Sequence, residues 1–156
     1  MEQGIAIGVT LSVANVLWRQ SRPHMAVIGR LPGTEHFRNV QRHKVETLTN
    51  VVFVRVDANL FFGNWDYIAD FLESQAKALT SGGVLVLNLS SVSDVDTTAI
   101  EGLEALSEKL KSKGARLVFA ELKGPITDKL SRSHFFQEPT VYLSCHQAFE
   151  ALRQPS

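Results

Sequence analysis

Between an apolar run and a periodic one the chain reads Asp94-Val95-Asp96-Thr97-Thr98-Ala99-Ile100-Glu101, which places carboxylates and adjacent hydroxyls at a strand-to-helix junction. The chemistry such a junction offers is binding. The first turn of a helix leaves backbone N–H groups without intrahelical partners at the positive end of the dipole, so an anion, a phosphate or a protein partner is favoured there. The same residues also have a structural use. Thr98 and Glu101 stand at the S/T-x-x-E spacing of a capping box, in which the threonine oxygen accepts a backbone N–H and the glutamate reaches back to the cap amide. Capping and binding are compatible.

A second acidic strand end, Val56-Asp57-Ala58-Asn59, meets this junction if the two strands are neighbours, because ligands of open α/β sheets gather at the carboxyl ends of the strands. Asp57 and Asn59 equally suit turn hydrogen bonds. A phosphate near Asp57 and Asp96 meets repulsion, which argues against a nucleotide there. Asp94 and Asp96 offer too few oxygen ligands in sequence for a hard cation, so neither a metal nor a cofactor is predicted.

Other chemistry finds little support. Cys145 is the single cysteine, which excludes an intrachain disulfide and a cysteine-based zinc cluster and is compatible with a reducing compartment. The histidines (His24, His36, His43, His134 and His146) show no ligand spacing with a carboxylate and read as surface or turn residues. Nucleophile-elbow, Walker and Gly-rich dinucleotide patterns are missing, and no nucleophile and base stand at useful spacing. The chain is therefore not read as an enzyme.

The elements that must position these residues alternate between strand and helix. His24 to Gly29 is a short strand candidate, Val51 to Val56 a stronger β-branched one, and Gly83 to Leu89 is apolar enough to be buried on both faces. Trp65, Ile68, Leu72, Ala76 and Leu79 form the apolar stripe of a helix from Asn64 to Leu79, stopped by Ser81-Gly82-Gly83. Ala99, Leu103, Leu106 and Leu110 make the stripe of the next helix, ended by Lys113-Gly114. Arg116 to Leu122 returns as a strand, Pro125 opens a short helix through Arg132, and Val141 to Leu143 is an edge-strand candidate. Ser144 and Gln147 cap a last helix that buries Phe149 and Leu152. This alternation implies an α/β layer sandwich with mainly parallel pairs, in which residues 30 to 50 are the longest irregular span.

The apolar segment Gly4 to Leu17 admits two readings. Ile5, Ile7, Val9, Leu11 and Val13 alternate with small or polar residues, as in a strand. As a helix the segment would span about 21 Å against a hydrocarbon core of roughly 30 Å, so it would be the last turns of a truncated membrane helix, with Trp18, Arg19 and Arg22 at the interface. Glu2 stands where a signal peptide has its basic region.

At 156 residues the chain is one domain in size, and its 16 basic and 16 acidic residues cancel, which gives no global field for nucleic acid. Local balance differs. Arg19, Arg22, Arg30, Arg38, Arg42 and Lys44 follow the apolar segment with only Glu35 against them.

The strand end followed by Asp96-Thr97-Thr98 and an amphipathic helix resembles the signature of the STAS domain, shared by bacterial anti-sigma factor antagonists and the cytoplasmic tails of SulP anion transporters. Thr98 aligns with the antagonists' phosphorylated hydroxyl; threonines stand for their serines and Ala99 for their glycine. The stretch Arg22 to Val40, with its Arg22-Pro23 pair and Gly29-Arg30-Leu31-Pro32-Gly33-Thr34 element, resembles the SulP junction between the last membrane helix and the tail, and Phe61-Phe62-Gly63-Asn64 resembles the segment opening a helix in those tails.

The resemblance implies a STAS fold, a central mixed, mostly parallel sheet of four to five strands packed with about four helices. Residues 1–20 are then the end of the last transmembrane helix and 21–156 a cytoplasmic domain at the inner face of the cell membrane. It further implies a regulatory and folding role in a secondary transporter of sulfate, bicarbonate or dicarboxylates. The partners implied are the transmembrane domain of the same transporter, a cytoplasmic protein or nucleotide, and a second copy through the full transporter. Asp57, Asp94, Asp96, Thr97 and Thr98 form the expected ligand, partner or phospho-switch surface, and Arg19, Arg22, Arg30 and Arg38 the basic membrane junction. The alternative is a soluble antagonist-like switch phosphorylated on Thr98.

Overall fold

The computed structural model describes residues 1–133 and 141–153. In chain order the elements are α1 (Glu2–Ser21), β1 (Met25–Arg30), β2 (Phe37–Asn39), β3 (Val51–Val56), α2 (Trp65–Ala76), β4 (Val84–Asn88), α3 (Thr97–Ser112), β5 (Arg116–Ala120), α4 (Gly124–Ser131), β6 (Val141–Tyr142) and α5 (Cys145–Arg153). The strands form one sheet in the order β2-β1-β3-β4-β5-β6. β1 runs antiparallel to β2 and β3, and β3 to β6 are parallel.

Among the described residues the sheet has six strands where four to five were expected, and four helices, α2 to α5, belong to the domain, in line with the expected number of about four. The addition is β2, three residues inside the span read as irregular. It is too short to show a period of its own and exists because Ile28, Gly29 and Arg30 pair with Asn39, Arg38 and Phe37. α1 covers the apolar segment, which is helix rather than strand. None of its residues is buried, and among the described residues no helix is long and apolar enough to cross a membrane.

Alternation along the strands divides the core in two. Val54, Val56, Leu85, Leu87, Leu117 and Phe119 face α2, α3 and α4, while Phe53, Val86, Val118 and Ala120 face α5 with its Phe149. Every residue of β4 is buried, as a central strand covered on both faces requires. Gly102 lets α2 and α3 approach closely: a Cβ there would lie 2.0 Å from the Trp65 indole.

Most boundaries differ from expectation by one or two residues, and two helix ends have local reasons. α2 stops at Ala76, three residues early, because Ala78 and Leu79 donate to Gln75 and Ala76, tightening the chain into three-residue turns. α3 starts at Thr97 with Asp96 as its cap, so the Thr98–Glu101 box does not form; the Asp96 carboxylate takes the Ala99 N–H at 2.9 Å. At α5 the expected cap stands: Ser144 Oγ accepts from the Gln147 amide at 3.0 Å, and Gln147 Oε1 accepts from the Leu143 amide at 2.8 Å.

Candidate functional site

β1 starts opposite the end of β3, Met25 beside Val56, so α1 reaches the domain at the carboxyl rim of the parallel strands. The junction 94–98 occupies the same rim, after β4. Thr97 and Thr98 are exposed in the first turn of α3, and neither hydroxyl makes a hydrogen bond among the described residues. Here lies the chemistry the rim offers: two adjacent hydroxyls at a helix N-terminus, open to solvent.

The carboxylates around them are committed. Asp96 divides its oxygens, Oδ1 accepting from the Ala99 N–H at 2.9 Å and Oδ2 from the Phe62 N–H at 2.8 Å. Asp94 pairs with Lys129, whose Nζ also donates to the Val95 carbonyl at 3.1 Å; the lysine hydrogen bond holds the Asp94 carboxyl below its ordinary value. Asp57 accepts from Arg55 Nε and from His24 Nδ1, both at 2.8 Å. Partial burial pushes the Asp57 carboxyl up, but the Arg55 and His24 bonds outweigh it and leave it below the usual range.

β3 and β4 are neighbours, as the expected meeting of the two acidic ends requires. The side chains nevertheless stay apart. Asp57 reaches Ser91 Oγ at 3.4 Å and forms no hydrogen bond with Asp96, Thr97 or Thr98 among the described residues. Asn59 makes the connection instead, its Oδ1 accepting from the amides of Ser93 at 2.7 Å and Asp94 at 3.1 Å. Lys123 and Lys129, absent from the expected site, arrive from the β5–α4 side, and Lys123 Nζ donates to Ser93 Oγ at 2.9 Å. No sequence signal marked the lysines, because only tertiary packing brings them to residues 93–95.

The basic residues do not form one collar. Arg19 lies in the exposed last turn of α1, and the Arg22 guanidinium stacks 4.4 Å from the centroid of the exposed Trp18 ring. Arg38 is exposed opposite Gly29, farther along β1. Arg30 is only 8 % exposed and is no surface residue: it bonds Glu46 and Glu150 and lies 4.1 Å from the Phe149 ring centroid. Two carboxylates, Glu46 bridged to β1 and Glu150 on α5, supply what the sequence pattern could not show, a reason to bury the cation.

No group of three His, Cys, Asp or Glu positioned for a metal occurs among the described residues. His24, His36 and His43 are exposed, His146 is half-buried with Nε2 3.9 Å from Glu35, and His134 lies outside the described residues. Cys145 is buried, and burial pushes its thiol up to about 12, which leaves it an inert core residue.

Replacing Asp96 by alanine is expected to lower stability by about 1–2 kcal/mol, because the α3 cap and the acceptor of the Phe62 amide go together. A urea midpoint unchanged from the parent would refute the dual role of this carboxylate.

The mixed sheet with helices on both faces is a fold found in anti-sigma factor antagonists. A putative anti-sigma factor antagonist from Thermotoga maritima superposes with a TM-score of 0.60 at 15 % identity, over 70 % of this chain and 92 % of its own. The chain belongs to the STAS domain family, whose model matches residues 42–148.

Its relatives are larger proteins. Sulfate transporter 1.3 of Arabidopsis thaliana is 32 % identical over 145 residues, 86 % of this chain and 22 % of the relative. Sulfate transporter 1.2 of the same plant is 31 % identical over 164 residues, 97 % of this chain and 25 % of the relative. The chain thus spans about a quarter or less of the curated relatives it matches. The murine solute carrier 26 family member A9 anion transporter, solved in the inward-facing state, shares the fold with a TM-score of 0.82 at 19 % identity, over 96 % of this chain and 25 % of that one.

Proposed function

We propose that this chain is the cytoplasmic regulatory STAS domain of a SulP-type anion transporter of the sulfate class. In this reading α1 is the end of the transporter's last membrane helix, residues 21–156 hang at the inner face of the cell membrane, and two copies meet through the full transporter. The observation that carries the reading is α1 itself, an apolar helix with no residue buried in the domain, followed by Trp18, Arg19 and Arg22. Bare apolar helix needs lipid or protein around it, and a Trp/Arg end suits a membrane interface. The likeness to the plant sulfate transporter 1.2 covers 97 % of the chain, against 70 % for the antagonist, which supports the transporter over the soluble switch.

The domain's part is regulation. Thr97 and Thr98 present the receptive helix tip, where an anion, a phosphate group or a cytoplasmic partner alters the state of the membrane body. Thr98→Asp, placed in the full transporter, is expected to change sulfate uptake about fivefold, the lower range of ordinary allosteric coupling. Uptake equal to the parent at equal membrane abundance overturns the regulatory reading. Incubation with an antagonist-type kinase and ATP, followed by mass measurement, separates the alternative: phosphate on Thr98 favours the switch.

A further inference from the structure

We propose that Asn64 is a latch that couples the helix tip at Asp96–Thr98 to the orientation of α1. The inference rests on the regulatory reading of that tip and names the route by which its state leaves the domain. Asn64 is 2 % exposed. Its Nδ2 donates to the Gln20 carbonyl at 3.3 Å and to the Asn59 carbonyl at 2.8 Å, while Oδ1 accepts from the Phe61 amide at 3.1 Å. Gln20 lies in the last turn of α1, where carbonyls lack intrahelical donors, so Asn64 caps α1 from across the domain.

The loop that Asn64 closes is fastened at its other side to the site. The Leu60 amide donates to the Asp94 carbonyl at 3.2 Å, the Asp96 amide to the Leu60 carbonyl at 3.0 Å, and the Phe62 amide to Asp96 Oδ2 at 2.8 Å. A path of hydrogen bonds therefore runs from the cap of α3 through residues 59–64 to the end of α1. Its sensitive point is Asp96. An anion on the α3 N-terminus competes for the Ala99 N–H and repels the carboxylate, and withdrawal of Asp96 takes the acceptor from Phe62. Phe62 is 74 % exposed, so on that side its own residue is held by this bond, beside the Leu60 pair and the Asn59 bonds to Ser93 and Asp94. Once the loop shifts, Asn64 no longer meets Gln20, and α1 is released from its fixed angle.

The test is a double-variant cycle on the chain in detergent micelles, read as the distance distribution between spin labels at Val16→Cys on α1 and Ala105→Cys on α3, in a Cys145→Ser background. Asn64→Asp keeps the oxygen facing Phe61 and loses both N–H donors; Asp96→Ala acts at the tip. The parent is expected to give a narrow distribution, each variant one about twofold wider, and the double variant no further widening. A parent-like width in either single variant, or widening that adds in the double variant, overturns the latch. Amide exchange of β4 reports global opening alongside. If Asn64→Asp opens β4, Phe62→Pro, which removes the N–H that donates to Asp96 Oδ2, replaces it with the same outcomes. The cycle needs neither ligand nor transport, so its failure leaves the uptake result standing, and unchanged uptake leaves the cycle standing.

Discussion

Gly102→Ala is expected to destabilise the domain by about 2 kcal/mol, although alanine is the better helix former by about 1 kcal/mol. The added methyl would sit 2.0 Å from Trp65 Cε2 and Nε1. Trp65 is buried at the start of α2, and its indole is a rigid ring rather than the far end of a flexible side chain, so the two helices must separate or the ring must leave its place. Urea unfolding followed by circular dichroism measures the loss. Trp65→Leu, which vacates the space, is expected to recover part of the penalty when combined with Gly102→Ala, the signature of direct contact. A Gly102→Ala protein as stable as the parent would mean that helix propensity decides at this position and that the close approach of α2 and α3 is not obligatory.

Arg30→Ala is expected to remove about 3 kcal/mol, the lower end for breaking a buried ion pair, because Glu46 and Glu150 are partly exposed and regain water when the cation goes. The substitution also empties the space over the Phe149 ring, where the guanidinium lies 4.1 Å from the centroid. Arg30→Lys should fall between, since an ammonium cannot reproduce the paired Nε and Nη2 contacts to Glu46 at 3.0 and 2.8 Å. The effect has a pH signature. The hydrogen bond from Arg30 holds the Glu150 carboxyl below its usual value, so this stabilisation is complete above the ordinary glutamate range and is lost as pH falls through the depressed value. The stability gap between parent and Arg30→Ala should therefore narrow in acid; a gap that widens there would refute the ion-pair origin.

The long buried elements were legible because their periods are written in one local run. Val51–Val56, Val84–Asn88 and the Ala99-Leu103-Leu106-Leu110 stripe appear where β-branching, continuous apolarity and helical spacing put them. β2 was not legible, since three residues become a strand only beside β1. At the site, the hydroxyls of Thr97 and Thr98 and the helix they open were readable, but the cap was misplaced by two residues: both Asp96 and Thr98 carry suitable oxygens, and the carboxylate also had the Phe62 amide to gain. Arg30 looked like one cation among six and went inside because Glu46 and Glu150, 16 and 120 residues away in sequence, converge on it. Asn64 read as the opening of a helix, which it is; its grip on Gln20 belongs to tertiary structure alone.

The chain enters its domain at the carboxyl rim, and the amino-terminal rim lies on the far side of the sheet, where Gly82 donates to the Gly114 carbonyl between the turns that lead into β4 and β5. Those two turns are the natural grafting points for a fluorescent reporter or an affinity handle. Cargo attached there hangs clear of α1, whereas even a short insertion between Ala58 and Gly63 would disturb the seam where helix and sheet are stitched together.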